Sequence, residues 1–200
     1  MMKFGIAAVA ALAGLALAAP AQAGVLDHIQ LKVGVSDIIP NEHGSPIQAS
    51  ISDAVVPTLG VEYFFNDHVS AELLCCAATH DVHAANGAVD LGTVTHSPPT
   101  LTLKYRWNTE HRFQPYVGAG VNYTMFINSD PPAGRSVHYR NSWGGAVQAG
   151  FDYRLNDHWS WNVDVRRLWI STDVRVRNPN VTDSVDIDPL VVTTGVGYRF

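Results

Sequence analysis

Cysteine and lysine are scarce in this sequence, and charge of one sign is nowhere concentrated. The chain of 200 residues has two cysteines, Cys75 and Cys76, whose number and adjacency exclude a disulfide framework and a structural zinc knuckle. Its three lysines form no basic cluster, and the 13 basic residues are outnumbered by 18 acidic ones. We therefore expect no nucleic-acid partner, because such binding needs a basic patch.

Long apolar runs are missing after residue 23, so we expect no helical membrane span in the rest of the chain. A phosphate-binding loop is missing as well, since the Gly-rich segment 118–120 is followed by neither a lysine nor a predicted helix. What the chain does contain is 46% apolar and 10% aromatic residues. It is therefore too apolar to be disordered, and its length suits one domain.

The first 23 residues have the three parts of a secretory signal peptide. Lys3 gives a short positive start, residues 4–19 are apolar, and Ala21 and Ala23 form an Ala-x-Ala cleavage site. The alternative is a membrane-anchor helix, but the apolar run is short for a span. Cleavage after Ala23 leaves a mature chain of 12 basic and 18 acidic residues. A soluble periplasmic protein and a transmembrane β-barrel both remain possible for it.

Apolar and polar residues alternate strictly over most of the mature chain. Within residues 113–125, for example, Val117, Val121 and Tyr123 share one face, while Gln114 points the other way. A period of two predicts strands with two different faces. The eight predicted strands are residues 29–36, 58–65, 69–76, 100–107, 113–125, 142–153, 159–166 and 190–200.

Short and long connections alternate between these strands. Tight turns are predicted at 66–67, 108–111 and 156–157, and long polar loops at 39–50, 81–97, 128–141 and 171–184. An even strand number with short turns at one end and long loops at the other is typical of bacterial outer-membrane barrels. The predicted fold is therefore all-β: an eight-stranded antiparallel transmembrane barrel with short periplasmic turns and long extracellular loops.

The polar face of the predicted strands carries charges of both signs, which favours a barrel over a soluble sandwich. In a sandwich the apolar face forms the core, whereas in a small barrel it meets lipid and the charges pair in the lumen. The charges predicted to point inward are Lys32, Glu62, Glu72, Lys104, Arg106, Asp152, Asp164 and Arg166.

Aromatic residues gather near the tight turns and the C-terminus, as expected of a belt at a membrane interface. Phe126, Trp143 and Trp169 are predicted to begin the opposite belt. The belt at the turn end comprises Tyr63, Phe65, Tyr105, Trp107, Phe113, Tyr153, Trp159, Trp161, Tyr198 and Phe200.

Several short segments occur in a distinctive order and spacing. They are PPTL at 98–101, PYVGAGVNY at 115–123, SWG at 142–144, GFDY at 150–153, DP at 188–189 and GYRF at 197–200. Together they resemble the OmpW-type outer-membrane proteins over essentially the whole mature chain. The resemblance implies an eight-stranded barrel over residues 24–200 in the outer membrane of a Gram-negative bacterium. It also implies the passage of small hydrophobic molecules, which enter from outside and leave sideways into the bilayer.

The last strand ends on an aromatic ring, with Val196, Tyr198 and Phe200 on one face. This ending resembles the signal recognised by the barrel-assembly machinery of the outer membrane. We therefore expect that machinery and outer-membrane lipid to be partners, together with small hydrophobic ligands.

The lumen departs from the family pattern at one position. The resemblance places Leu74 in an apolar constriction, but Arg166 stands where the family has a tryptophan. An arginine side chain stays charged, so Arg166 needs a carboxylate partner, which Asp164, Glu72 or Asp152 can supply. These five residues form the predicted constriction.

Two functions stay open at this point: a conduit or binding site for small hydrophobic molecules, and a structural or interaction barrel with a plugged lumen whose outer loops bind partners. A lipid-modifying enzyme ranks third, since Ser and His recur in no arrangement that indicates a nucleophile and its base. His80, His83 and His96 lie in or beside one predicted loop, but their spacing matches no compact zinc site. We predict no catalytic residue, no metal and no cofactor.

Overall fold

A computed structural model describes residues 24–43, 50–84, 89–130, 136–177 and 181–200 of the protein. The predicted signal peptide, residues 1–23, lies outside the described residues. Apart from a short 3-10 helix, Leu26–His28, the described parts of the chain form strands and their connections. No helix among them is long and apolar enough to cross a membrane.

Fifteen strands run through the described residues, and several of them are successive parts of one longer strand. They are β1 (Ile29–Ile39), β2 (Glu42–His43), β3 (Ser50–Ile51), β4 (Ala54–Phe64), β5 (Val69–Cys76), β6 (Ala78–Ala84), β7 (Val89–Ser97), β8 (Thr100–Arg106), β9 (Phe113–Asp130), β10 (Ser136–Tyr139), β11 (Ser142–Arg154), β12 (Trp159–Leu168), β13 (Ser171–Arg177), β14 (Val181–Ile187) and β15 (Leu190–Arg199).

Eight of these strands close into one antiparallel barrel. Neighbours pair around the wall in the order β1, β4, β5, β8, β9, β11, β12 and β15. The first and last strands then pair with each other, with Val33 opposite Val196, so the described wall of the barrel has no open edge. The eight predicted strands correspond to these eight, and the predicted fold class is confirmed.

The outer connections contradict the prediction of loops at 81–97, 128–141 and 171–184. β6 and β7 form a hairpin over the first segment, β9 extends to Asp130 in the second, and β13 and β14 form a hairpin over the third. The polar composition of these segments is typical of loops. Pairing with neighbouring strands nevertheless continues beyond the barrel, because residues with high strand propensity such as Val and Thr recur within them.

Beyond the barrel the wall divides into two sheets. β9 continues into a sheet with β7, β6 and β3, whereas β10, β13, β14 and β2 form a separate four-stranded sheet. One division falls in the predicted loop 39–50, where β2 pairs with β14 and β3 pairs with β6. Residues 44–49, between those two strands, lie outside the described residues.

The tight turns at the opposite end include the repeated sequence Asn-Asp-His, and both copies fold in the same way. Asn66 Oδ1 accepts hydrogen bonds from the backbone N–H groups of His68 and Val69, both at 2.9 Å. Asn156 accepts the two equivalent bonds at 3.0 and 2.8 Å. Each asparagine thus closes its turn with its own side chain, which allows so short a connection.

The histidine of each copy holds the strand beside it. His68 Nδ1 lies 3.0 Å from the carbonyl oxygen of Arg106, and His158 Nδ1 lies 2.9 Å from that of Arg199. Each ring also stacks on the tyrosine that precedes that arginine. The repeat therefore fixes two arginines at equivalent positions at the turn end of the barrel.

The two faces of the wall differ sharply in exposure. Outward-facing Leu103 and Val121 are 57% and 50% exposed, whereas inward-facing Lys104 and Asn122 are fully buried. An exposed apolar band of this extent is stable only against an apolar solvent. Aromatic pairs border the band where the two belts are predicted, such as Tyr105–Trp107 at the turn end (5.2 Å) and Tyr123–Trp143 at the other (4.7 Å).

The alternation of connections predicts the orientation of the barrel, because outer-membrane barrels keep their short turns in the periplasm. The test uses a background in which Cys75 and Cys76 are replaced by serine. Asp81→Cys, beyond the outer belt, is expected to react in intact cells with a maleimide on a polymer too large to cross the outer membrane. Asp67→Cys, in a tight turn, should react only after that membrane is permeabilised. Its reaction in intact cells would contradict the orientation.

Candidate functional site in the barrel interior

Eight charged side chains, four of each sign, fill the middle of the barrel. They come from six strands of the wall, and each is at most 6% exposed. Alternation along the strands brings them together, because every second residue points inward. We call this group the charge plug: Lys32, Glu62, Glu72, Lys104, Arg106, Asp152, Asp164 and Arg166.

Two lysines and two glutamates form the centre of the charge plug. Lys32 Nζ lies 2.6 Å from Glu62 Oε2 and 2.9 Å from Glu72 Oε2. Lys104 Nζ lies 3.0 and 3.1 Å from the same two oxygens. Each glutamate therefore faces two ammonium groups. This pairing offsets the large cost of burying any one of these charges alone.

Two arginines complete the charge plug, each with two carboxylates. Arg166 Nη2 lies 2.6 Å from Glu72 Oε1, and its Nε lies 3.4 Å from Asp164 Oδ1. Arg106 Nη2 lies 2.6 Å from Asp152 Oδ2 and 2.9 Å from one of the central glutamates. Arg166 thus contacts two of its three predicted partners, Glu72 and Asp164. The third, Asp152, forms an ion pair with Arg106 instead.

Tyr116 is a central residue of the interior that the sequence analysis does not single out. Lys104 Nζ lies 3.6 Å from the centroid of the Tyr116 ring. The Tyr116 hydroxyl donates a hydrogen bond to Asp164 Oδ2 at 3.1 Å. Gly150 leaves room for that hydroxyl, because a Cβ there would lie 2.7 Å from it. An aromatic residue on the polar face of a predicted strand is the signal that identifies such a position.

Hydroxyl groups lie next to the charge plug, towards the outer end of the barrel. Ser36 Oγ lies 2.5 Å from Thr58 Oγ1 and 2.7 Å from Thr193 Oγ1. The cavity between these hydroxyls and Arg166 measures about 20 Å³, which is room for about one water molecule. At this level the described side chains therefore fill the lumen.

Further out, the inward-facing residues become apolar. On β1, Ile38 follows the inward Ser36, and on β12, Leu168 follows the inward Arg166. The inward free thiol of Cys76 packs against this group, which we call the outer apolar layer. The sequence analysis misses this layer, although the period of two, continued outward along the inward-facing rows, leads to its members. Its members are Ile38, Val56, Ala78, Ala146, Leu168, Ile170 and Val191, all 8% exposed or less.

The five predicted constriction residues all lie inside the barrel. Leu74 lines the 20 Å³ cavity beside Arg166, and the four charged residues belong to the charge plug. Their role as the constriction of a transport path stays a prediction. At the C-terminus, Val196 is exposed on the wall and the rings of Tyr198 and Phe200 lie 5.2 Å apart. Their role as an assembly signal also stays a prediction.

The histidines near the outer end do not gather at one point. The rings of His80 and His96 stack with their centroids 5.0 Å apart, where β6 pairs with β7. His83 faces Asp90 instead, at 4.0 Å. Within the described ranges, no three side chains of His, Cys, Asp or Glu are arranged to hold a metal ion.

A closed eight-stranded barrel with an apolar exterior, aromatic belts and paired charges inside defines the class of outer-membrane β-barrel proteins. Within that class, the model of the OmpW family matches residues 24–200, and the chain belongs to this family.

Relatives and solved structures agree with that assignment. The uncharacterised outer-membrane protein y4mB of Sinorhizobium fredii is 34% identical over 196 residues, which cover 91% of this chain and 85% of that one. Outer membrane protein W of Vibrio cholerae is 32% identical over the full length of both chains. The crystal structure of the outer membrane protein OprG from Pseudomonas aeruginosa matches with a TM-score of 0.79 and 29% identity, over 86% of this chain and 95% of that one. The protein is therefore located in the outer membrane.

Removing the charge of Arg166 is expected to destabilise the barrel, because Glu72 and Asp164 then share a buried site with too little positive charge. Arg166→Met should lower the free energy of unfolding by about 3–5 kcal/mol, which is typical of breaking a buried ion pair. Urea unfolding in lipid vesicles measures the loss, and heat-modified gel mobility reports the folded fraction.

Arg167→Met is the matched control, since Arg167 points outward and is 29% exposed beside Asp188. Its loss should be about 1 kcal/mol or less, as for a partly exposed ion pair. Adding Glu72→Gln to Arg166→Met should restore part of the stability. Equal losses in the two single variants would show that the charge plug does not depend on Arg166.

The stacked histidines are expected to make the outer hairpin sensitive to acid. They lie in the hairpin β6–β7, outside the eight strands of the barrel, where His96 pairs with Phe126 on the outward extension of β9. Burial lowers the pKa of His96 to about 4, and the neighbouring His80, whose pKa burial also lowers, opposes its protonation further. In the opened hairpin both pKa values return to about 6.5. The opened form therefore gains protons first as the pH falls, and the closed form loses stability between pH 6.5 and about 4.

Amide hydrogen exchange in β6 and β7 measures this loss. Corrected for the intrinsic pH dependence of exchange, protection at pH 5 should be about 1–2 kcal/mol lower than at pH 7. His96→Gln should flatten the dependence, because its amide does not titrate. A loss of protection that is the same in His96→Gln would assign the effect to other groups.

Proposed function

We propose that the protein binds small hydrophobic molecules in the outer half of its lumen and releases them sideways into the outer membrane. The outer apolar layer is the observation that carries this proposal. It forms an apolar section inside a lumen whose other inward positions are mostly polar. An apolar solute that parts these side chains exchanges water for apolar contacts, a gain of about 25 cal/mol per Å² of buried surface.

The charge plug argues against a straight path to the periplasm. An apolar solute that crossed it would separate buried charges from their partners, at a cost of several kcal/mol for each. The charge plug therefore blocks passage of an apolar solute towards the periplasm, and a hydrophobic ligand in the outer apolar layer leaves through the barrel wall.

A candidate exit lies beside Cys76. The ladder between β5 and β8 ends at the pair Leu74–Thr100, and the ladder between β6 and β7 begins at Ala78–His96. In the described structure no strand pairing fills the three positions between these ladders, where Pro98 and Pro99 cannot donate a backbone hydrogen bond. The hydrogen bond from Ser97 Oγ to the carbonyl oxygen of Cys76, at 2.6 Å, crosses this gap in the backbone ladders, which lies next to the outer apolar layer.

One relative supports the class of ligand. A Pseudomonas aeruginosa protein that is 31% identical over 114 residues, 56% of this chain and 54% of that one, is named dibenzothiophene metabolism operon protein PahQ. Dibenzothiophene is an apolar aromatic compound, so a relative associated with its metabolism favours a hydrophobic ligand here.

The second candidate function is an interaction barrel whose lumen stays closed. The packing of the interior favours it, since the seven side chains of the outer apolar layer are already buried against one another. In that case the hairpins β6–β7 and β13–β14, which extend past the barrel, present the surface for partners.

The native cysteines allow a direct test. Cys75→Ser leaves Cys76, beside the outer apolar layer, as the only thiol. In lipid nanodiscs, naphthalene is expected to slow the reaction of Cys76 with N-ethylmaleimide several-fold and saturably, because the bound ligand covers the thiol. Cys76→Ser, with only the outward Cys75, is the matched control for effects of naphthalene on the lipid.

Uptake measurements separate the two functions in cells. Cells with the protein should take up a labelled apolar compound faster than cells without it. Saturable protection of Cys76 together with faster uptake supports the conduit. Unprotected Cys76 and unchanged uptake, in a protein whose outer hairpins bind a partner, would replace the conduit with the interaction barrel.

A further inference from the structure

The turn end of the lumen contains positive charge that the charge plug does not neutralise. A cavity of about 40 Å³ lies there, between the plug and the tight turns, and three arginines from three strands line it. They are Arg106 on β8, Arg154 on β11 and Arg199 on β15. We call this part of the lumen the inner mouth.

The repeated Asn-Asp-His turn places Arg106 and Arg199 in equivalent positions, but their partners differ. Arg106 is 2% exposed and bonded to Glu62 and Asp152. Arg199 is half-buried, and its Nε donates a hydrogen bond to the backbone carbonyl of Asp27 at 3.2 Å. The fold thus holds two arginines in the same way and neutralises one of them with carboxylates.

Arg154, like Arg199, donates its hydrogen bond to a backbone carbonyl. It is half-buried, and its Nη2 donates to the backbone carbonyl of Thr109 at 3.1 Å. Among the described residues, no carboxylate oxygen lies within 4.0 Å of the guanidinium of either Arg154 or Arg199. A guanidinium has five N–H donors, so most donors of both side chains remain for a ligand.

Phe64 packs against two of the three arginines that line the inner mouth. Its ring is 3% exposed, and the guanidinium carbons of Arg199 and Arg106 lie 4.2 and 4.7 Å from its centroid. A guanidinium that rests with its face on a ring keeps its donors at its edge, where they can bind an oxyanion with two parallel hydrogen bonds.

We propose that the inner mouth is a binding site for a small oxyanion, a carboxylate or phosphate, held by Arg154 and Arg199. Both residues continue the inward-facing rows of their strands, so the barrel wall separates them from lipid headgroups. The ligand therefore comes from solution on the turn side. The site goes beyond the proposed function and does not depend on it, since the charge plug lies between the two.

Asp157 allows a test that depends on the direction in which oxyanion affinity changes. This turn residue also lines the cavity, and its carboxylate repels an oxyanion there. Asp157→Asn should therefore tighten binding, whereas Arg154→Gln and Arg199→Gln should weaken it. A site that served only to stabilise the turn would not respond with opposite signs.

The experiment follows the arginine Nε–Hε signals of the full chain by NMR, in a maltoside detergent that contains no phosphate. Sodium phosphate is titrated at pH 7, with sodium chloride adjusted to keep the ionic strength constant. The signals of Arg154 and Arg199 should shift saturably. Either Gln variant should raise the half-saturating concentration about tenfold, the effect of losing a charge-assisted contact, and the double variant should abolish saturation.

Arg112→Gln is the matched control, because Arg112 is an exposed arginine at the neighbouring turn and should leave binding unchanged. Heat-modified gel mobility confirms that each variant is folded. A shift that tracks ionic strength, or that persists in the folded double variant, overturns the proposal. So does a shift on transfer to phospholipid nanodiscs without free phosphate, because headgroups would then be the source of the oxyanion.

Discussion

The mutual neutralisation of eight buried charges is the constraint on which the rest of the structure depends. An isolated charge in a narrow lumen costs several kcal/mol, so each member of the charge plug requires its partners on other strands. Lys32, on the first strand, contacts carboxylates on β4 and β5, and Arg166 on β12 reaches across to Glu72 on β5. These contacts specify the register of the barrel, because a slip of one residue would place Lys104 in lipid and Leu103 in the lumen.

The strands of the barrel and the inward direction of its charges follow from the period of two, since alternation is a local property of each strand. Which of the inward charges pair with each other does not follow from the alternation. Asp152 is as plausible a partner for Arg166 as Glu72 when only the sequence is known, and Arg106 takes it because β8 and β11 bring those two side chains together. The outer hairpins are missed for another reason: their composition is that of loops, while pairing with neighbours extends their strands.

Arg166 distinguishes the lumen of this chain from the pattern that the resemblance to the OmpW-type proteins implies. The resemblance implies a tryptophan at this position, whereas the arginine joins a network whose four positive and four negative charges balance. A balanced network presents little net field to a passing ion but a high barrier to an apolar solute, which would have to separate its charges. The apolar section of the lumen therefore ends above the plug, and this is why the proposed route of a hydrophobic molecule turns sideways into the lipid.

The repeated turn holds two arginines in equivalent positions, but only one of them is neutralised by carboxylates. The same asparagine and histidine contacts hold Arg106 and Arg199, and Phe64 lies against both guanidiniums. Arg106 faces Glu62 and Asp152 and becomes part of a neutral core, whereas Arg199 faces Arg154 across a cavity that opens among the turns. Since the plug is neutral, it does not cancel this charge. The two ends of one lumen therefore favour opposite chemistry, apolar at the outer end and anionic at the inner mouth.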